Sequence, residues 1–142
     1  MSYLLDTCAL SEMIKKVPDA GFTEWIASQR GDLLFISVIS IAEIRQGIVR
    51  LTDSHRRRRL SVWLSGIKAR YGAHVLPVDL AVSETYGRMQ GKAIKSGKPV
   101  PVQDCWIAAT AATHSLSIVT RDDKDLVPTG VSIVNPWKAT RG

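Results

Sequence analysis

The chain has 142 residues, 45% of them hydrophobic and 23% charged, enough to bury one real core and too apolar for long disordered tails. Its 19 Lys and Arg outnumber its 13 Asp and Glu for a formal charge of +6, a balance that suits a polyanionic partner. Apolar runs are short, Asp6 interrupts the hydrophobic start, and Cys8 and Cys105 are the only cysteines, so the composition argues against a membrane span, a secretory segment, a disulfide framework and a zinc site.

Tyr3 to Asp6 reads as a short apolar strand closed by an acid, and Leu33 to Ser37 as a second strand. Both are apolar at successive positions, the pattern of strands covered on two faces. Helical spacing then sets in with Ile41, Ile44, Ile48 and Leu51. Ser40 is expected to cap that helix, with Glu43 at its third position, so a capping box competes with a catalytic role for Glu43. The run His55 to Arg59, HRRRR, opens the next stripe of Leu60, Trp63, Leu64 and Ile67. A solvated helix face is one reading of the run, and attraction for phosphates by Arg56, Arg57, Arg58 and Arg59 is the other.

A third strand is expected at His74 to Val78, followed by a helix carrying Val82, Tyr86, Met89 and Ala93. The loop SGKPVP, Ser96 to Pro101, ends it, because proline removes a donor and disfavours helix in the residue before it. The next helix starts near Gln103, which puts Asp104 in a first turn, where the helix dipole favours a carboxylate in any case. Strands at Ser117 to Thr120, closed by Asp122, and at Val131 to Val134 complete the chain. Apolar strands alternating with helices describe βαβ units, an α/β fold with a parallel sheet. Cys8 and Cys105, each just past a key aspartate, read as small buried apolar side chains.

Taken singly, each acid is explained by a cap or a turn. Their shared placement is not. In an open parallel sheet, ligands bind outside the carboxyl ends of the strands, near the point where strand order reverses. Asp6 and Asp122 are expected at two strand ends, and Glu43 and Asp104 near helix starts that open onto the same edge. Carboxylates crowded into one pocket take up protons or bind a hard cation such as Mg2+ or Mn2+. Such an ion beside a basic surface suits phosphodiester hydrolysis.

The segments YLLDTCALSE, SVISIAEIRQGI, VQDCWIAATA and IVTRDDKDL, in this order and spacing, resemble the PIN-domain ribonucleases, in particular the VapC-like toxins of type II toxin-antitoxin pairs. The ending VSIVNPW resembles the FitB-like branch. The resemblance covers nearly the whole chain and implies a single PIN domain over 1–142, a three-layer α/β/α fold whose central, mostly parallel sheet has about five strands. It implies a Mg2+- or Mn2+-dependent endoribonuclease whose acidic quartet is Asp6, Glu43, Asp104 and Asp122, with Asp6 and Asp104 as principal metal ligands. Thr7 and Thr120 resemble family hydroxyls that orient carboxylates or water, with turn and cap bonding as their structural alternative. Many relatives carry Asn in the slot of Asp122 and an acid a few residues later. Here Asp123 and Asp125 follow, so Asp125 stands second to Asp122 for the fourth place.

The resemblance also implies a cytoplasmic toxin that stops translation by cutting RNA. It is expected to form a homodimer, to join a VapB-like antitoxin in a heterotetramer or larger assembly, and to meet operator DNA only through that antitoxin. An apolar groove around Ile44 to Leu64, with Trp63 as anchor, core or dimer contact, is the expected seat. Two other classes stay open. One is an α/β phosphotransferase or phosphatase using Asp6, although Cys8 stands where the phosphatase pattern wants a second acid. The other is a non-catalytic basic RNA-binding module whose acids only cap helices.

Overall fold

The computed structural model describes residues 1–137. Five parallel strands, β1 (Tyr3–Leu5), β2 (Leu34–Ser37), β3 (Val75–Leu76), β4 (Ser117–Val119) and β5 (Ile133–Val134), form one sheet in the order β3-β2-β1-β4-β5. The strands are two to four residues long: β1 and β2 give way to helices capped by Asp6 and Ser37, and Pro77 follows β3 and cannot donate to a ladder. The chain winds outward from β1 through β2 to β3, then crosses to β4 and β5. The order therefore reverses between β1 and β4.

Successive side chains of a strand point to opposite faces, and both faces here are apolar. Leu5, Ile36 and Val119 enter a core shared with Leu10, Phe22 and Ile67, under α1 (Thr7–Met13), α2 (Ala20–Ser28), α3 (Val38–Val49) and α4 (Ser54–Tyr71). Their neighbours Leu4, Phe35 and Ile118 pack into a second core with Ile107, Ala108 and Leu126, under α5 (Leu80–Lys95) and α6 (Val102–Thr113). This is the expected three-layer α/β/α arrangement. Among the described residues no helix is long and apolar enough to cross a membrane.

Helices α1 and α2 lie in a stretch to which the periodicity assigned no helix. Each depends on its N-cap: Asp6 accepts from the Ala9 N–H and Asp19 from the Phe22 N–H. Ser40 does not cap α3. That helix begins three residues earlier, with the Ser37 hydroxyl accepting from the Ile39 N–H at 3.0 Å, so Ser40 lies buried in the second half of the first turn and no capping box forms around Glu43. Apolar Val38 and Ile39 extend the helix back to the first hydroxyl at the strand end, and the nearer serine is overrun.

One buried side chain ties a loop down. Gln90 on α5 donates to the Val100 carbonyl at 2.7 Å and accepts from the Val100 N–H at 2.9 Å. It thus fixes the proline-rich loop directly before α6. Replacing Gln90 by Leu leaves both Val100 groups buried without partners, and urea unfolding should show a loss of roughly 2–4 kcal/mol, about 1–2 for each orphaned group.

Candidate active site

Asp6 sits where the strand order reverses. Its N–H donates to the Val119 carbonyl of β4 at 3.2 Å, so the sheet itself fixes the backbone of this residue. Oδ1 of Asp6 accepts from the Ala9 N–H and from the Cys8 thiol, both at 2.9 Å. Cys8 is therefore not the inert apolar filler expected of it. Its sulfur also accepts from the Arg121 N–H at 3.4 Å and lies 3.7 Å from the Thr120 hydroxyl, linking the loop after β1 to the loop after β4. Burial and the neighbouring Asp6 carboxylate push the Cys8 thiol up to about 12, so it stays protonated and donates at neutral pH.

Thr7 begins α1, and its hydroxyl donates to Glu43 Oε1 at 2.8 Å while meeting the buried Ser40 hydroxyl at 3.0 Å. The two contacts draw Glu43, which stands past the first turn of α3, toward Asp6. Thr120, fully buried, accepts from the Asp122 N–H at 3.1 Å. Asp122 does not close β4 directly: the strand ends at Val119, and Thr120 and Arg121 intervene before Asp122 enters the short 3-10 turn Asp123–Asp125. The turn brings Asp125 in as well.

The acids share one electrostatic field. Burial raises the Asp104 carboxyl above its ordinary range, and the charges of Asp125, Asp6, Glu43 and Asp122, in that order, raise it further. Asp6 is likewise raised, first by burial and also by Asp122, although Cys8, Thr120 and the Ala9 N–H oppose this. The other four candidates thus all bear on Asp104. Both contenders for the fourth place belong to the group, Asp125 acting more strongly on Asp104 and Asp122 the one felt at Asp6.

No Lys or Arg forms an ion pair with Asp6, Glu43, Asp104, Asp122 or Asp125 among the described residues. Glu12 shows the opposite treatment, and nothing in the sequence pattern singled it out. Burial would raise its carboxyl, but the Asp19 N–H, Lys15 and the Trp137 indole outweigh burial and hold it below the usual range. Trp137 Nε1 donates to Glu12 at 3.0 Å, Lys15 lies at 3.0 Å and Arg121 at 4.0 Å. Glu12 is a structural acid with its charge matched, whereas the other acids keep theirs unmatched. Their donor set, all carboxylate oxygens, fits a hard divalent cation. Among the described residues no three His, Cys, Asp or Glu side chains form a ready cage for an ion. Mg2+ is commonly held by only one or two carboxylates together with water and substrate phosphate, which suits this looser arrangement.

The basic run divides. It opens α4, capped by Asp53, so its cations stand at the positive end of a helix dipole, where helix stability does not favour them. Arg57 donates to the Leu51 carbonyl at 2.9 Å and stitches the turn between α3 and α4. Arg56 and Arg59 line a groove of about 420 Å³ with Thr7, Glu43, Ile44 and Trp63. Arg58 is exposed and lies outside that groove. The expected apolar groove therefore exists, with α1 as a third wall, while Leu64 is fully buried beneath it.

Known proteins share this fold. The sequence family described as the PIN domain matches residues 3–127. VapC ribonuclease Y4jK of Sinorhizobium fredii is 35% identical over 136 residues, 95% of this chain and 97% of the relative. Toxin FitB of Neisseria gonorrhoeae is 32% identical over 135 residues, 94% of this chain and 97% of the relative. The solved structure of FitAB bound to an IR36 DNA fragment superposes with a TM-score of 0.88 at 30% identity, covering 95% of each chain. With a matching family over most of its length and full-length relatives of the VapC and FitB kind, the chain belongs to the PIN-domain family.

Proposed function

We propose that this chain is a Mg2+- or Mn2+-dependent endoribonuclease acting in the cytoplasm as the toxin of a toxin-antitoxin pair. The observation that carries the proposal is the group of carboxylates converging on Asp104 without a basic partner. Asp6 and Asp104 would hold the ion, with Glu43 and Asp122 or Asp125 completing its surroundings directly or through water. A bound divalent cation supplies Lewis acidity to the scissile phosphate and lowers the pKa of a nearby water.

The chain's own residues do the positioning. Cys8 and the Ala9 N–H hold Asp6 Oδ1, Thr7 holds Glu43, and Thr120 fixes the backbone at Asp122. All three side chains are neutral donors or acceptors, so they orient the acids without cancelling their charge. Water attacks phosphorus, the bond to the leaving ribose oxygen breaks, and an ionised carboxylate accepts the proton that the water gives up. Arg56 and Arg59 line the Glu43 groove, and in this reading they meet substrate phosphates.

The same groove, apolar along Ile44, Ile48 and Trp63 and basic at its rim, is the proposed seat of a VapB-like antitoxin. The FitAB complex on DNA supports an assembly that meets DNA; the proposal for this chain is a heterotetramer or larger that reaches operator DNA through the antitoxin. A homodimer is supported by α5, which leaves Leu80 and Ile94 exposed on a stripe shared with Gly87 and Gly91, where an added Cβ would meet nothing within 4 Å. Inhibition of translation follows if the RNA cut is one that translation needs.

Purified protein with Mg2+ or Mn2+ should cut RNA, and Asp104→Asn should reduce cutting to background while its circular dichroism spectrum is retained. Equal cutting by both proteins sinks the mechanism, and RNA binding without cutting in either metal points to the non-catalytic module instead. Stability should respond in the opposite sense. In EDTA at pH 7, Asp104→Asn relieves repulsion in a partly solvated site, a gain of roughly 1 kcal/mol or about 2–5 °C in Tm. Because the Asp6 and Asp104 pKa values are raised on folding, their contribution to stability is fully present below the unfolded carboxylate pKa and is lost as pH rises through the folded values. The advantage of the variant should therefore shrink as the pH falls toward 3. Mg2+ should raise the Tm of the parent protein and leave that of the variant nearly unchanged.

A further inference from the structure

An acidic site repels the polyanion it is proposed to cut, so cations beside it must capture the strand. Arg56 and Arg59 provide them on the side of α4. On the opposite side, a cleft of about 380 Å³ runs along α5, closed by the loop before α6 and by the 3-10 turn Val127–Thr129. Arg88, Lys92 and Lys98 line it together with the hydroxyls of Ser96 and Thr129, and no acid lines it.

These cations are available. Among the described residues the side chains of Lys92 and Lys98 form no hydrogen bond or ion pair, and the largely exposed Arg88 meets only its own helix, Glu84 at 3.7 Å and the Thr85 hydroxyl at 3.5 Å. An ion pair of that kind contributes little and exchanges readily for a phosphate. Arg88 and Lys92 are one helical turn apart and therefore project side by side.

The walls of the cleft adjoin acid-bearing segments of the chain. Val100 in its wall is gripped by Gln90 directly ahead of α6, whose first turn carries Asp104. The Thr129 N–H donates to the carbonyl of Leu126, the residue after Asp125. Two walls of the cleft are thus continuous in the chain with the segments that carry Asp104 and Asp125.

We infer that the cleft between α5 and the Val127–Thr129 turn holds the phosphodiester backbone of the RNA strand as it leaves the acidic site, with Arg88, Lys92 and Lys98 as its phosphate contacts. This inference rests on the ribonuclease reading. Phosphate contacts of this kind are non-specific, so the cleft sets affinity and the length of RNA engaged and does not read sequence.

The test is anisotropy of a labelled oligouridylate with the intact protein in EDTA, across a salt series, alongside cleavage in Mg2+. The triple variant R88Q/K92Q/K98Q should bind about tenfold more weakly or worse, with the slope of log K against log salt reduced by about 2, near 0.7 for each single-strand phosphate that is no longer neutralised. Cleavage of long RNA should lose through KM, and cleavage of an oligonucleotide too short to reach the cleft should lose far less. The charge-matched variant R30Q/K68Q/R70Q separates a local effect from net charge and should keep most of the parental slope. Equal affinity and slope in the triple variant and the parent overturn the inference, as does an equal loss in the charge-matched control. A parent protein that neither binds nor cuts RNA overturns the ribonuclease reading itself, whereas a parent that does both while the triple variant matches it overturns the cleft alone.

Discussion

Strand β1 is hydrogen-bonded on both edges and covered on both faces, and the rest of the site takes its position from it. Leu4 and Leu5 point into opposite cores and are fully buried, so the strand can neither slide nor rotate without exposing one of them. Asp6 follows immediately, with its N–H held by β4 and its carboxylate capping α1. A charged group is thus fixed at the sheet edge by apolar packing behind it. The other acids reach it along elements that lean on the same two cores: α3 under one face, α6 under the other, and the turn after β4.

The molecule treats its buried acids in two ways. Glu12 is matched by Lys15, by the Trp137 indole and at longer range by Arg121, and it ties the end of the described chain to α1. Asp6 and Asp104 receive no cation, and burial first and neighbouring carboxylates second raise their pKa values. Unmatched charge of this sort lowers stability, and a fold keeps it where the charge has another use. The neutral contacts of Thr7, Cys8 and Thr120 belong to the same economy, because an Arg or Lys in their places would orient the acids and discharge them at once.

Positive charge is arranged around this deficit. Arg56 and Arg59 lie beside Glu43, and Arg88, Lys92 and Lys98 line the far cleft. Arg57 is consumed in holding the turn between α3 and α4. A run of like residues in sequence therefore becomes three different roles in space, since consecutive helical positions point about 100° apart.

The α/β class, the five strands to within a residue or two, and the candidate acids are legible in the amino-acid sequence, because short two-faced apolar runs, helical spacing and proline punctuation are local signals. Helices α1 and α2 escaped it, being short and dependent on caps instead of a long apolar stripe. It also assigned the cap of α3 to the wrong serine and took Cys8 for inert packing. Folding in three dimensions settles which acids share a field, that Cys8 joins two acid-bearing loops, that the charge of Glu12 is paired, and that three cations from α5 and the following loop line one cleft. Those facts depend on contacts between residues far apart in the chain, and no local periodicity records the distance between them.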